Sequence, residues 1–336
     1  MVVLFLLGAL GACQSQGSSS PNASSKTYIS LSGDAIGTYY RITCADTVHP
    51  GLQSALDSIF RAITLDFSVY EPQSMLTAFN QSERGIYSPH LAALLRRAQP
   101  IHSLTSGRFD PTVGPLVKLW GFDGATPATI DSASVRTVLT YTGLQHVMVQ
   151  GDSVVKQDAR VQLTLNAIAK GYAVDCIAEY LESHSVHDYL VEVGGELRVA
   201  GLSPRGREWV IGIETPAPNA PLGASIAQRV AVGQGAVATS GNYRKFIERN
   251  GKTWGHTIDP TTGYPAINPL LSATVLCRSC TEADALATGL MALGPEASKA
   301  LVEQLDSVEA VLIYRDDEGN LATWYSTGAL SMVLDR

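Results

Sequence analysis

The sequence predicts a mixed α/β fold of the α+β type, and three observations point to it. Hydrophobic spacing switches repeatedly between a helical and an alternating period along the chain. No fixed-period repeat runs through it, which excludes a solenoid or propeller. Of 336 residues 45% are hydrophobic, enough for a large core, while 30 glycines and 16 prolines call for many turns.

The elements follow in chain order. Val2 to Leu10 is nearly all apolar and runs into Leu10-Gly11-Ala12-Cys13. A helix needs about 20 residues to span a bilayer, so this run is too short and reads as a secretory signal over residues 1–12. No Lys or Arg precedes it. Cys after small residues has the layout of a bacterial lipobox, which makes Cys13 the lipidated residue and residues 13–27, rich in Ser, Gln and Gly, a flexible tether. The folded body is expected over 28–336. Leu52, Leu56, Ile59, Phe60 and Ile63 predict a helix to about Asp66, and a second fits His90 to Thr105. Residues 146–149 and 153–157 predict a hairpin about Gly151-Asp152. Val161, Leu163 and Leu165 alternate as a strand, after which Ile168, Tyr172, Ile177 and Leu181 form a helical face, so Ala167 to Gly171 marks a strand-to-helix junction. Strands are expected at 188–201 and 208–214, and a closing hairpin at 309–314 and 321–326.

Composition excludes some functions. Lys and Arg number 24 against 31 Asp and Glu, the net charge is −7, and no basic run supplies the stripe that duplex binding needs. Cys277-Arg-Ser-Cys280 has the spacing of a redox or zinc pair, but no second pair or suitably placed His accompanies it, so two ordinary thiols are expected.

Four segments carry chemistry. Gly107 to Phe122 combines a Gly/Pro-shaped backbone with Phe109, Trp120 and Phe122, flat faces suited to a planar ring. The junction Asn166 to Asp175 offers a helix N-terminus and the charge of Lys170 to a phosphate, although neither a Walker A loop nor GxGxxG is present. The bland reading makes Lys170 and Asp175 a solvated pair. Ala238 to Arg244 and His256 to Pro265 bring Ser240 and His256; without a Gly-x-Ser-x-Gly elbow, His256 is read as a general acid/base and not as part of a serine hydrolase. In Glu282 to Met291, a helix expected to hold Asp284 in its first turn, Asp284 and Thr288 stand at i and i+4. A carboxylate and a hydroxyl on one face suit Mg²⁺, which prefers oxygen donors completed by water and phosphate.

Together with Gly37-Thr38-Tyr39-Tyr40, Phe67-Ser68-Val69-Tyr70, Ser74, Asn80 and Val193-Gly194-Gly195-Glu196, this ordered set resembles the ApbE family of FAD:protein FMN transferases, from about Tyr28 to the C-terminus. The resemblance implies an ApbE-like fold in which two subdomains enclose an FAD cleft, and Mg²⁺ held by Asp284, Thr288 and the Ala167 carbonyl. It maps flavin contacts onto Tyr70, Arg108, Phe109, Asp110, Lys170 and Ile258. His256, with Asp284 as the other catalytic residue, matches a histidine that deprotonates the acceptor hydroxyl. The implied reaction moves FMN from FAD to a threonine of a membrane redox subunit, Nqr- or Rnf-like, and releases AMP on the periplasmic side. Many members have an acidic residue where this chain has Thr164, a departure at a flavin-contact position. An FAD pyrophosphatase giving FMN and AMP and a non-catalytic FAD-binding lipoprotein are the alternatives.

Overall fold

The computed structural model describes residues 26–45, 51–124, 130–217, 225–242, 246–249 and 252–334. The signal segment, Cys13 and most of the tether lie outside the described residues, as do Tyr243 and Arg244.

Among the described residues, eight strands form one antiparallel sheet. In spatial order they are β1 (Tyr28–Ala35), β2 (Thr38–Ala45), β6 (Tyr189–Val193), β7 (Glu196–Ala200), β10 (Gly235–Gly241), β15 (Leu270–Cys277), β16 (Glu309–Arg315) and β17 (Leu321–Tyr325). Successive side chains in a strand point to opposite faces. Ala236, Ala238, Ala273, Val275, Ala310 and Leu312 accordingly enter one core, while Val237, Leu276, Val311 and Ile313 enter another. Smaller pairings are β3 (Gly85–Tyr87), β5 (Ser153–Lys156) and β4 (Val147–Gln150) in that order, β8 (Trp209–Glu214) with β9 (Ile226–Val232), β11 (Phe246–Arg249) with β12 (Lys252–Gly255), and β13 (Ile258–Asp259) with β14 (Tyr264–Pro265).

The helices are α1 (Leu52–Phe67), α2 (Met75–Gln81), α3 (Pro89–Leu104), α4 (Gly114–Trp120), α5 (Ser132–Leu139), α6 (Ala169–Ser183), α7 (Cys280–Leu293), α8 (Pro295–Val302) and α9 (Thr327–Met332). Local chemistry sets several starts: Ser74 and Asp131 accept the Thr77 and Ser134 amides at 3.0 and 2.7 Å, and Pro89 opens α3 behind Ser88. α7 is apolar nearly all round and lies buried against β10 and β15, with α6 and α3 packed on it. The β8–β9 hairpin and α9 cover the opposite face of the sheet.

Two expectations are corrected. Residues 161–165 bury Val161, Leu163 and Leu165 in alternation but belong to no sheet. The Asn80 side-chain amide takes the place of a neighbouring strand, donating to the Leu163 carbonyl at 2.9 Å and accepting its amide at 2.7 Å. α7 also starts earlier than expected, at Cys280 behind the Ser279 cap, so Asp284 sits at the start of its second turn. The hairpins at 146–157 and 309–326 form as expected, and the 188–201 segment is itself a hairpin, turning through Gly194 and Gly195 at φ 62° and 103°, where glycine is favoured.

Candidate active site

The site grows from the chain between Asn80 and α6. Pinned at Leu163, the backbone continues with the Thr164 amide donating to the Pro111 carbonyl at 2.8 Å. It then turns so that the Leu165 carbonyl accepts from Ile168 and Ala169 at 3.0 and 2.8 Å. Helix α6 begins immediately after this turn. The Gly171 amide, which in a longer helix would reach back to the Ala167 carbonyl, donates instead to Asp284 Oδ2 at 3.0 Å. A Cβ on Gly171 would lie 2.2 Å from the Cys280 carbonyl oxygen and 2.9 Å from Asp284 Cβ, so only glycine permits this approach of α6 to α7.

Lys170 Nζ lies 3.0 Å from Glu196 Oε1 and 3.4 Å from Asp284 Oδ1. Burial disfavours its charge, but the Asp284 and Glu196 carboxylates more than offset this and hold the ammonium above the ordinary lysine value. Burial pushes the Glu196 carboxyl above the ordinary glutamate value, against the pull of Lys170 and with the repulsion of Asp284. Glu196 Oε2 is, among the described residues, a buried side-chain oxygen without a hydrogen-bond partner. One turn beyond Asp284, Thr288 Oγ1 lies 3.2 Å from Ser240 Oγ on β10.

These residues fit a hard divalent cation. Asp284 and Thr288 occupy one face of α7, and Ala167 lies in the turn that leads into α6, whose Gly171 amide Asp284 accepts. Asp284 Oδ1 meets Lys170 only at long range, leaving lone pairs for another partner. Among the described residues no three His, Cys, Asp or Glu gather as a metal-binding group. A cation here would therefore draw on hydroxyl, carbonyl, water or phosphate oxygen, as Mg²⁺ does.

The 105–110 loop meets the same helix. A Cβ on Gly289, next to Thr288, would lie 2.6 Å from Thr105 Cγ2 and 3.3 Å from Phe109 Cβ, so the loop packs directly on α7. Phe109 is buried in the core. Asp110 is engaged within its own neighbourhood, Oδ1 accepting the Thr112 amide and hydroxyl at 2.7 and 2.6 Å and Oδ2 meeting the Leu144 amide and His102 Nε2 at 3.0 and 3.2 Å. Arg108 pairs with Asp259. Ile258 is buried beside Leu116, Trp120 and Val138, and the Trp120 indole N–H donates to the Gly263 carbonyl at 2.9 Å. Tyr70 is 74% exposed. Among the described residues neither Tyr70 nor Arg108 hydrogen-bonds to the Lys170–Asp284 cluster.

His256 stands half-buried between β12 and β13. The neighbouring Thr257 hydroxyl donates to Asn242 Oδ1 at 2.6 Å, and Asn242 directly follows β10, the strand that brings Ser240 to Thr288. Cys277 and Cys280 are free thiols. Burial pushes the Cys277 thiol up to about 12, and the Cys280 thiol also lies well above its ordinary value, so neither is a ready thiolate.

Of the two readings of the Lys170–Asp175 segment, the solvated pair fails at Asp175. That residue is no solvated partner of Lys170 but a buried carboxylate that accepts the Cys280 and Thr281 amides. Glu196 and Ser240 were given no place in the cation and flavin site by sequence reasoning. The signal for Glu196 was its position straight after Gly194-Gly195, on the same face of β7 as Arg198 and Ala200.

The ApbE family model matches residues 36–312. The chain belongs to the ApbE family. It is similar to the FAD:protein FMN transferase of Vibrio cholerae, 37% identical over 302 residues that cover 87% of this chain and 89% of that protein. Among solved ApbE structures, the Vibrio cholerae flavin transferase superposes with a TM-score of 0.80 at 34% identity, covering 91% of this chain and 99% of that one. The apo form of the Pseudomonas stutzeri flavinyl transferase gives a TM-score of 0.81 at 31% identity, with 91% and 97% covered. The expected mixed helix-and-sheet ApbE fold is the one observed.

Proposed function

We propose that this chain is an FAD:protein FMN transferase. In this reading it moves FMN from FAD onto a threonine hydroxyl of a partner subunit and releases AMP. The observation that carries the reading is the junction where Lys170, the start of α6 and the Asp284–Thr288 face of α7 converge.

A diphosphate suits that junction, since a helix N-terminus and a lysine both favour anionic oxygen. Asp284, Thr288 and the Ala167 carbonyl would hold Mg²⁺, which when bound neutralises charge on the diphosphate oxygens. Tyr70, Arg108, Phe109, Asp110, Thr164 and Ile258 form the flavin end, Phe109 and Asp110 chiefly by shaping the loop. The threonine oxygen attacks the FMN-side phosphorus, the bond to the AMP oxygen breaks, and His256 receives the hydroxyl proton. Positioning supplies much of the rate. The acceptors in this reading are threonine-bearing subunits of Nqr- or Rnf-like membrane complexes. The chain would meet them from the periplasmic side, anchored to the membrane through a lipid on Cys13.

Mass spectrometry of an acceptor peptide incubated with the full-length protein, FAD and Mg²⁺ tests this. A peptide that gains one FMN, with AMP released, is the expected result. Free FMN plus AMP with an unmodified peptide would mean that water is the acceptor and the chain is a pyrophosphatase. Unchanged FAD would reduce it to a binding protein.

A further inference from the structure

Asp175 is the most densely hydrogen-bonded carboxylate near the site, and it is buried among protein donors. Its Oδ1 accepts the Cys280 amide at 3.0 Å and Arg198 Nη1 at 3.2 Å. Its Oδ2 accepts the Ser279 hydroxyl at 2.7 Å, the Thr281 amide and hydroxyl at 3.0 and 2.6 Å, and Arg97 Nη2 at 3.3 Å. A carboxylate on α6 thus satisfies orphan N–H groups in the first turn of α7.

Spacing links this contact to the cation face. Gly171 and Asp175 are i and i+4 on α6, while Cys280, Asp284 and Thr288 repeat at i, i+4 and i+8 on α7. Gly171 meets Asp284 as Asp175 meets Cys280 and Thr281, so the two helices pass in opposite directions and are fastened at two successive levels. A slip of one residue on α7 would turn Asp284 about 100° from the start of α6.

We infer that Asp175 is a positioning residue for the cation site, fixing the register of α7 so that Asp284 and Thr288 face the α6 N-terminus. The inference rests on the proposed Mg²⁺ site and concerns the supporting groups behind it. Such outer contacts typically change metal affinity by about 10–100-fold when removed.

Mn²⁺ uptake by the full-length protein, followed by EPR with FAD present and corrected for Mn²⁺ held by FAD alone, provides the test, with melting recorded for each variant. Asp175→Asn should weaken uptake about tenfold or more, and Thr281→Val, which removes only a hydroxyl, should weaken it less. Glu309→Gln, which alters a carboxylate cap on α9, should lower the melting temperature without changing Mn²⁺ affinity. Wild-type affinity in folded Asp175→Asn overturns the inference, as does equal weakening in Glu309→Gln. Should Asp175→Asn fail to fold, unchanged affinity in Thr281→Val overturns it. A wild-type protein that takes up no Mn²⁺ fails the cation site itself, and the inference with it.

Discussion

Two helices in this molecule start on a carboxylate borrowed from another element, and they serve different ends. At α7 the carboxylate is Asp175, fully buried and flanked by Arg97 and Arg198. At α9 it is Glu309 of β16, half-buried, accepting the Ser326 hydroxyl and the Gly328 and Ala329 amides, the latter two at 3.0 and 3.1 Å. Each has a glycine close by: a Cβ on Gly171 would strike the Cys280 backbone carbonyl, whereas one on Gly328 would lie 2.0 Å from Glu309 Oε1, the movable end of a side chain. The device is the same, but α9 closes the back of the sheet whereas α7 presents Asp284 and Thr288. Capping contributes stability in both places, and in the proposed function only at α7 is its geometry also tied to chemistry.

The largest effect should come from the residue that α7 presents. Asp284→Ala is expected to lower flavin transfer by about 10³-fold, measured as labelled peptide per minute. Near-wild-type turnover would break the contrast between the two helices. Gly171→Ala pushes on the Cys280 carbonyl and should cost about 1–3 kcal/mol of stability, with about a 10²-fold loss of transfer from displaced groups. Denaturant melts and single-turnover rates separate the two losses.

Asp175 sharpens the comparison through pH. Burial raises its carboxyl pKa, but the hydrogen bonds from Thr281, Ser279 and Cys280 win and hold it below the ordinary aspartate value. A depressed native pKa gives stability that is present above the unfolded value, about 4, and is lost as the pH falls through the native one. Asp175→Asn should therefore cost about 3 kcal/mol at neutral pH, a deficit that shrinks on acidification below about pH 4. Melting temperature against pH for both proteins reads this directly, and a constant gap would contradict it. The smallest effect belongs to the back of the sheet, where Glu309→Gln should cost about 1 kcal/mol and leave the transfer rate as it was.

What the sequence made legible follows from range. The Asp284–Thr288 spacing, the Lys170 junction and the hairpin about Gly151-Asp152 are local patterns, readable within about ten residues. The solvated-pair reading of Asp175 fails because its partners, the Cys280 and Thr281 amides, are 105 and 106 positions away and are backbone groups that any sequence carries. Residues 161–165 alternate as a strand does, but their pairing partner is the side chain of Asn80, 83 positions from Leu163. Burial at Leu163 and its neighbours was visible, and the absence of a ladder was not. Glu196 gave a signal only in its position after two glycines, since the partner that keeps a buried carboxylate there, Lys170, comes from another element.

Locating Mn²⁺ by anomalous scattering in crystals grown with FAD is the most direct trial of the whole reading. The cation should sit on Asp284 and Thr288 oxygens with the FAD phosphates toward Lys170 and the start of α6. A cation and diphosphate bound elsewhere, with that junction empty, would contradict it.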